Sequence, residues 1–191
     1  MCNITGMPVE IICDPIVYWN SRMKESRTIK RNSREHQWIF DIIDLKVSKT
    51  EQIFINEEEW MLCRDLHPGS DTRFLVVFKD KNLVTIRDLR KHHVPMLISM
   101  QQKITAFLDT QNLPNRNQFQ IFFHYPPSVY QLHAHVSPVR GHPGQRLRTQ
   151  YLNTICANLL KDTNWYRSAL ILTSYYKITP KQNGKNENLE E

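Results

Sequence analysis

The segment "QFQIFFHYPPSVYQLHAHVS", residues 118–137, constrains the fold more than any other part of the chain. Pro126 and Pro127 stand side by side in it. Proline has no amide hydrogen for a ladder and pushes the residue before it out of the helical region, so no regular element runs through this point. On either side lies a short segment of strand character, "QFQIFFHY" before the prolines and "YQLHAHVS" after them. Successive side chains of an extended chain point to opposite faces. If residues 130–136 are extended, Gln131, His133 and His135 share one face, and Leu132, Ala134 and Val136 share the other. The small apolar residues suit a packed face. Three polar side chains in a row suit solvent or a site.

The rest of the chain supplies further strands and helices. In "SREHQWIFDIIDLK", Trp38, Ile39, Ile42 and Ile43 fall at helical spacing, with Ser33 in the N-cap position. Strands are expected at residues 52–56, 60–64 and 73–79, the last being the strongly apolar "RFLVVFK", with a turn at "KDKN". A long helix is expected to start near Pro95, which is tolerated in a first turn, and to bury Leu97, Met100, Ile104, Phe107 and Leu108. "NLPNRN" ends it. "VRGHPGQR" reads as a loop, Tyr151, Leu152, Ile155, Leu159 and Leu160 as a second long helix, and "ALILTSYY" as a last strand. No repeat and no regular βαβ alternation is visible. The order predicts an α+β domain over residues 33–177, a mainly antiparallel sheet with two long helices packed on it. Residues 1–32, ending in the basic "RMKESRTIKR", read as an N-terminal arm. Residues 178–191 are polar and read as a disordered tail.

The chain has 191 residues, enough for one sizeable core. Its apolar fraction of 40% and charged fraction of 23% separate it from disordered and membrane-spanning classes. No apolar run approaches the roughly 20 residues of a membrane-spanning helix, so no membrane association is expected. The first residues lack a basic stretch, and Glu10 and Asp14 interrupt their apolar run, so no secretory signal is expected. Cys2, Cys13, Cys63 and Cys156 are scattered, which fits a reduced, intracellular protein. The cytoplasm is the expected location, with the nucleus also open. A formal charge of +6 tilts the expected partner towards an anion, a nucleotide or nucleic acid.

The histidine pair has three readings. His133 and His135 could be ordinary exposed strand residues. They could be two ligands of a metal, but a four-coordinate zinc site needs three or four protein ligands. His124, His67 and His142 are candidates for the third, and spacing selects none of them. Or they could serve nucleophilic catalysis. An imidazole can attack phosphorus and form a covalent intermediate, and a protonated second imidazole can donate to a phosphate oxygen or leaving group.

"QLHAHVS" resembles the alternating signature of the histidine-triad superfamily of nucleotide hydrolases and transferases. Within it, "HYPPSVYQLHAHVSP", with "TIRDLRKHHVPML" upstream and "IFDIID" preceded by Trp38, resembles the scavenger mRNA decapping enzymes. The resemblance runs from about Trp38 to Tyr176 and matches that family's C-terminal catalytic half. It implies a histidine-triad fold and a pyrophosphatase acting on the cap triphosphate bridge. The implied substrates are 7-methylguanosine cap analogues or short capped RNA, with release of 7-methylguanosine monophosphate through a phospho-enzyme on His133. It implies no metal and no cofactor, and leaves a homodimer open. Two further readings stand beside it: a cap-binding or regulatory protein without turnover, and a histidine-triad hydrolase of another dinucleotide or nucleoside-phosphate conjugate.

Carried over by position, the resemblance makes His133 the nucleophile and His135 a phosphate contact. It puts Gln131 in the place of the first triad histidine; a glutamine still forms hydrogen bonds but cannot become an imidazolium. The strip of His124, Tyr125, Pro126, Pro127, Ser128 and Tyr130 falls where the family lines the cap phosphates, and Arg148 aligns with a family arginine. Arg140 and Arg146 lie in the same loop. Trp38 matches a tryptophan that stacks on the methylated guanine, whose positive charge favours an indole face. Asp65 and Leu66 match residues on the other side of the base, and His67 stands where the family has a lysine. The glutamate that meets the guanine edge has its nearest acidic counterpart in Glu51, since the matching spacing falls near Lys49.

Overall fold

The computed structural model describes residues 8–13, 33–46, 52–65, 72–111, 113, 118–139 and 148–176. The fold is α+β, as expected, and is built on a six-stranded sheet that is antiparallel throughout. Its strands are β2 (Ile53–Asn56), β3 (Trp60–Arg64), β4 (Phe74–Phe78), β5 (Phe119–His124), β6 (His133–Pro138) and β7 (Thr149–Tyr151), in the spatial order β2-β3-β4-β6-β5-β7. Strand β1 (Pro8–Cys13) lies in the segment read as an arm. It pairs with β8 (Ile171–Tyr176) in a separate two-stranded sheet, with Pro8 opposite Tyr176 and Cys13 opposite Ile171.

Both long helices lie on one face of the large sheet. Helix α2 (Val94–Thr110) begins with Pro95 in its first turn. It buries Leu97, Met100, Ile104 and Leu108 at the expected spacing. Helix α3 (Leu152–Lys161) buries Leu152, Ile155 and Leu159 beside it. They cover Trp60, Leu62, Phe74, Val76, Phe78, Ala134 and Val136. Phe107 packs against Phe54 and Phe74 at ring separations of 5.1 and 5.4 Å. Tyr151 and Leu160, read as marking α3, are exposed. Tyr151 belongs to β7, and Leu160 points away from the sheet side. A short helix, α4 (Trp165–Ser168), follows α3. No helix among the described residues is long and apolar enough to cross a membrane.

The opposite face carries its own layer. Helix α1 (Gln37–Ile43) buries Ile39, Phe40 and Ile42 against Met61, Cys63, Leu75 and Val77. Strand β4 is therefore covered on both sides, and all five of its residues are buried. That explains its continuous apolar run, which a strand with one wet face would not have. Ser33 does not cap α1 as expected. It precedes a 3-10 turn, Arg34–His36, and its hydroxyl pairs with His36 Nδ1 at 2.8 Å.

Strand β6 starts at His133, three residues later than expected. Gln131 precedes the strand. Its side-chain amide donates to the carbonyls of Phe78 and Asp80 at 2.8 and 2.9 Å, at the end of β4. The reading that extended this strand back to residue 130 is thereby corrected: Gln131 lies outside it, buried, with its side-chain amide at the end of β4.

Candidate active site

Register fixes where the histidines lie. His133 stands opposite Val77, and His135 opposite Leu75 on one side and Phe122 on the other. Directly opposed residues of an antiparallel pair share a face, so both imidazoles belong to the face covered by α1. His124 has the parity of Phe122 and joins them. The His124 and His135 ring centroids are 4.5 Å apart, and those of His133 and His135 are 5.4 Å apart in an edge-on arrangement. Phe122 stacks on His135 at 5.4 Å with 21° between the planes. Asp65, buried just beyond β3, places Oδ2 4.0 Å from His135 Nδ1.

His133 is buried, and its Nδ1 lies 2.8 Å from the carbonyl oxygen of Gln131. A carbonyl can only accept, so Nδ1 carries the hydrogen and Nε2 keeps its lone pair. Burial pushes the His133 imidazole below its ordinary value, against smaller opposing effects of this hydrogen bond and of Asp65. Burial, helped by the Arg148 guanidinium and by His133, pushes His124 down to about 4. Both rings are neutral at pH 7.

Arg148 flanks His124 from the start of β7. Its carbonyl accepts the Tyr125 amide hydrogen at 2.8 Å, and its Nη2 donates to the Pro126 carbonyl at 2.8 Å. Pro127 and Tyr130 are buried, while Ser128 is exposed. Trp38 packs against the apolar cluster of the histidine face, half-buried on α1. Histidines 124, 133 and 135, Asp65 and Trp38 thus share one side of the sheet. Tyr125 does not join them, because its side chain is buried in the core of the opposite face. Glu51, Leu66, His67, Arg140, His142 and Arg146 lie outside the described residues. Among the described residues no group of three or more His, Cys, Asp or Glu side chains is arranged to hold a metal ion.

Phe122 was not picked out in the sequence. The signal was there: it lies two residues from His124, and the alternation that joins His133 to His135 joins these two as well.

The depressed imidazoles make stability depend on pH. In the unfolded chain both groups protonate near 6.5, whereas in the fold they do so lower, His124 at about 4. As pH falls the unfolded state binds protons first, so the stability that His124 contributes above 6.5 is lost between about 6.5 and 4, and that of His133 is lost as pH falls below 6.5. The slope is at most about 1.4 kcal/mol per pH unit for each group. Chemical denaturation should show a lower midpoint at pH 5 than at pH 7, with a smaller difference in His124→Gln. An undiminished difference in that variant would count against the assignment to His124.

The family described as "Scavenger mRNA decapping enzyme C-term binding" matches residues 37–148. The chain is similar to the m7GpppX diphosphatase of Schizosaccharomyces pombe, 27% identical over 116 residues, which cover 56% of this chain and 38% of the relative. It is also similar to adenosine 5'-monophosphoramidase HINT3 of Xenopus tropicalis, 29% identical over 112 residues, covering 57% of this chain and 72% of the relative. A solved histidine triad protein from Clostridium difficile superposes with a TM-score of 0.46 at 14% identity, covering 59% of this chain and 96% of that one.

Proposed function

The chain belongs to the scavenger mRNA decapping enzyme C-terminal binding family, and from that premise we propose that it hydrolyses the 7-methylguanosine cap of cap dinucleotides or short capped RNA. The observation that carries the proposal is His133: a buried, neutral imidazole whose Nδ1 is committed to a carbonyl, which leaves Nε2 as a nucleophile beside two further imidazoles.

Nε2 attacks the phosphorus next to 7-methylguanosine. A P–N bond forms as the P–O bond to the departing diphosphate of the second nucleotide breaks, and His135 supplies a proton to the leaving oxygen. Water then attacks the same phosphorus and gives up a proton to the now neutral His135, the P–N bond breaks, and 7-methylguanosine monophosphate departs with both histidines restored. Asp65, 4.0 Å from His135 Nδ1, orients that ring. Arg148, beside His124, provides fixed positive charge for the phosphates. Catalysis of phosphoryl transfer rests mainly on such positioning and neutralisation. Trp38 offers the cationic base its indole face.

The test is a turnover assay with methylated and unmethylated cap dinucleotide. We expect 7-methylguanosine monophosphate as product and kcat/KM about tenfold higher for the methylated substrate, the scale of a cation–π contact. Indifference to methylation would instead support a histidine-triad hydrolase of another nucleotide conjugate, the reading favoured by the similarity to HINT3 of Xenopus tropicalis. Tight binding of methylated cap without product would support a regulatory cap-binding role.

A further inference from the structure

Gln131 occupies the place of the first histidine in the triad resemblance, which invites the view that it is a loss. The hydrogen bonds point the other way. Its Nε2 donates to two carbonyls at once, Phe78 at 2.8 Å and Asp80 at 2.9 Å. Reversing the amide would set Oε1 against both acceptors, so the orientation is settled by its partners. The fully buried Oε1 has no hydrogen-bond partner among the described residues. A buried acceptor without a partner is costly. What this orientation secures is two donations from one nitrogen.

The acceptors are distinctive. Phe78 ends β4, and Asp80 lies in the turn after it. The Phe78 amide donates to the Leu132 carbonyl at 3.2 Å, and the Leu132 amide to the Leu83 carbonyl at 2.8 Å. Residues 131–132 are thus clasped to the turn from both sides. The carbonyl of Gln131, held within this clasp, receives His133 Nδ1–H. A single residue fixes the clasp through its side chain and selects the nucleophile's tautomer through its backbone.

We propose that Gln131 is a positioning residue for His133, a two-donor clip whose geometry suits a primary amide better than the imidazole of a complete triad. A neutral imidazole presents one N–H and a protonated one presents two on different nitrogens. The glutamine amide presents two from one nitrogen at every pH. The kinetic consequence rests on the cap-hydrolysis reading above; the tautomer consequence does not.

Two measurements on the full chain test it. Steady-state kinetics with methylated cap dinucleotide compare wild type with Gln131→His and Gln131→Met. Nitrogen-15 imidazole spectra of the same proteins, assigned with His133→Ala, report the His133 tautomer. Gln131→His should lower kcat about tenfold, the equivalent of roughly one net hydrogen bond, with KM within about twofold. Gln131→Met should lower it further and turn a single Nδ1–H tautomer into a mixture. A purely structural role would lower the unfolding midpoint of both variants but leave kcat per folded molecule and the tautomer unchanged. Activity of Gln131→His equal to or above wild type would overturn the proposal, as would a retained single tautomer in Gln131→Met. Should Gln131→Met not fold, Gln131→His decides by both readouts. Should wild type hydrolyse no cap, the functional reading fails, and the spectra still decide the clip.

Discussion

Replacing His133 by alanine should reduce release of 7-methylguanosine monophosphate by at least about a thousandfold, the scale on which covalent catalysis is lost when its nucleophile is removed. The magnitude follows from the division of labour in the site. His124, His135 and Arg148 can polarise and neutralise a phosphate, while His133 has its Nδ1 held at the Gln131 carbonyl and its Nε2 left for attack. Affinity for the cap should change much less, because Trp38 and Arg148 remain. A quenched single-turnover reaction of wild type should show phosphorus bound to one imidazole, and the alanine variant should show none. Equal rates for the two proteins would refute the role. A large loss of rate with no trapped adduct in wild type would favour His133 as a base acting on water instead.

The parts of the fold that could be read in advance are those set by local periodicity. The stripe of α2 needs only its own residues, and the apolar run of β4 needs only a position covered on both faces. What escaped depends on distant partners. The spacing of Ile39 and Ile42 announces a buried helix face but not which side of the sheet it covers, and α1 packs on the face opposite the two longer helices. Strand β1 exists through its pairing with β8, more than 150 residues away in sequence. The strand stops short of Gln131, whose amide goes to the carbonyls at the end of β4. Within the site, alternation found His133 and His135 unaided. Asp65 and, as part of the phosphate strip and base stack, His124 and Trp38 were assigned to the site through the family resemblance, and the structure sets them on the same face. Tyr125, carried over on the same grounds, turns to the other one, because it follows His124 by one residue and the pleat reverses its side chain.

That turn of Tyr125 into the core leads to the second large effect: Arg87→Met should cost roughly 3–6 kcal/mol of folding free energy. Arg87 is completely buried. Its Nε donates to the Tyr125 hydroxyl, its Nη1 donates to the carbonyls of Tyr166 and Ala169 at 2.8 and 3.0 Å, and its guanidinium lies 4.8 Å from the Tyr125 ring centroid. It thereby joins the 3-10 turn Ile86–Asp88, the residue after β5, α4 and the lead into β8. Two effects oppose each other in the substitution. Removing a buried charge relieves its desolvation, and exchanging a whole buried ionic group for apolar side chains is often neutral or stabilising. Here, however, the exchange is one-sided. The buried Tyr166 carbonyl, the part-buried Ala169 carbonyl and the buried Tyr125 hydroxyl each lose the donor that Arg87 supplied, at about 1–3 kcal/mol each. The penalty wins, and it is a large share of the 5–15 kcal/mol typical of a domain. Arg87→Lys should recover only part of it, since an ammonium lacks the planar fork that reaches three acceptors. Denaturation midpoints of the two variants and wild type check the order, and a loss below about 1 kcal/mol in Arg87→Met would show that these acceptors find other donors. Because Tyr125 directly follows His124, the same substitution should loosen the imidazole cluster, and turnover should fall along with stability.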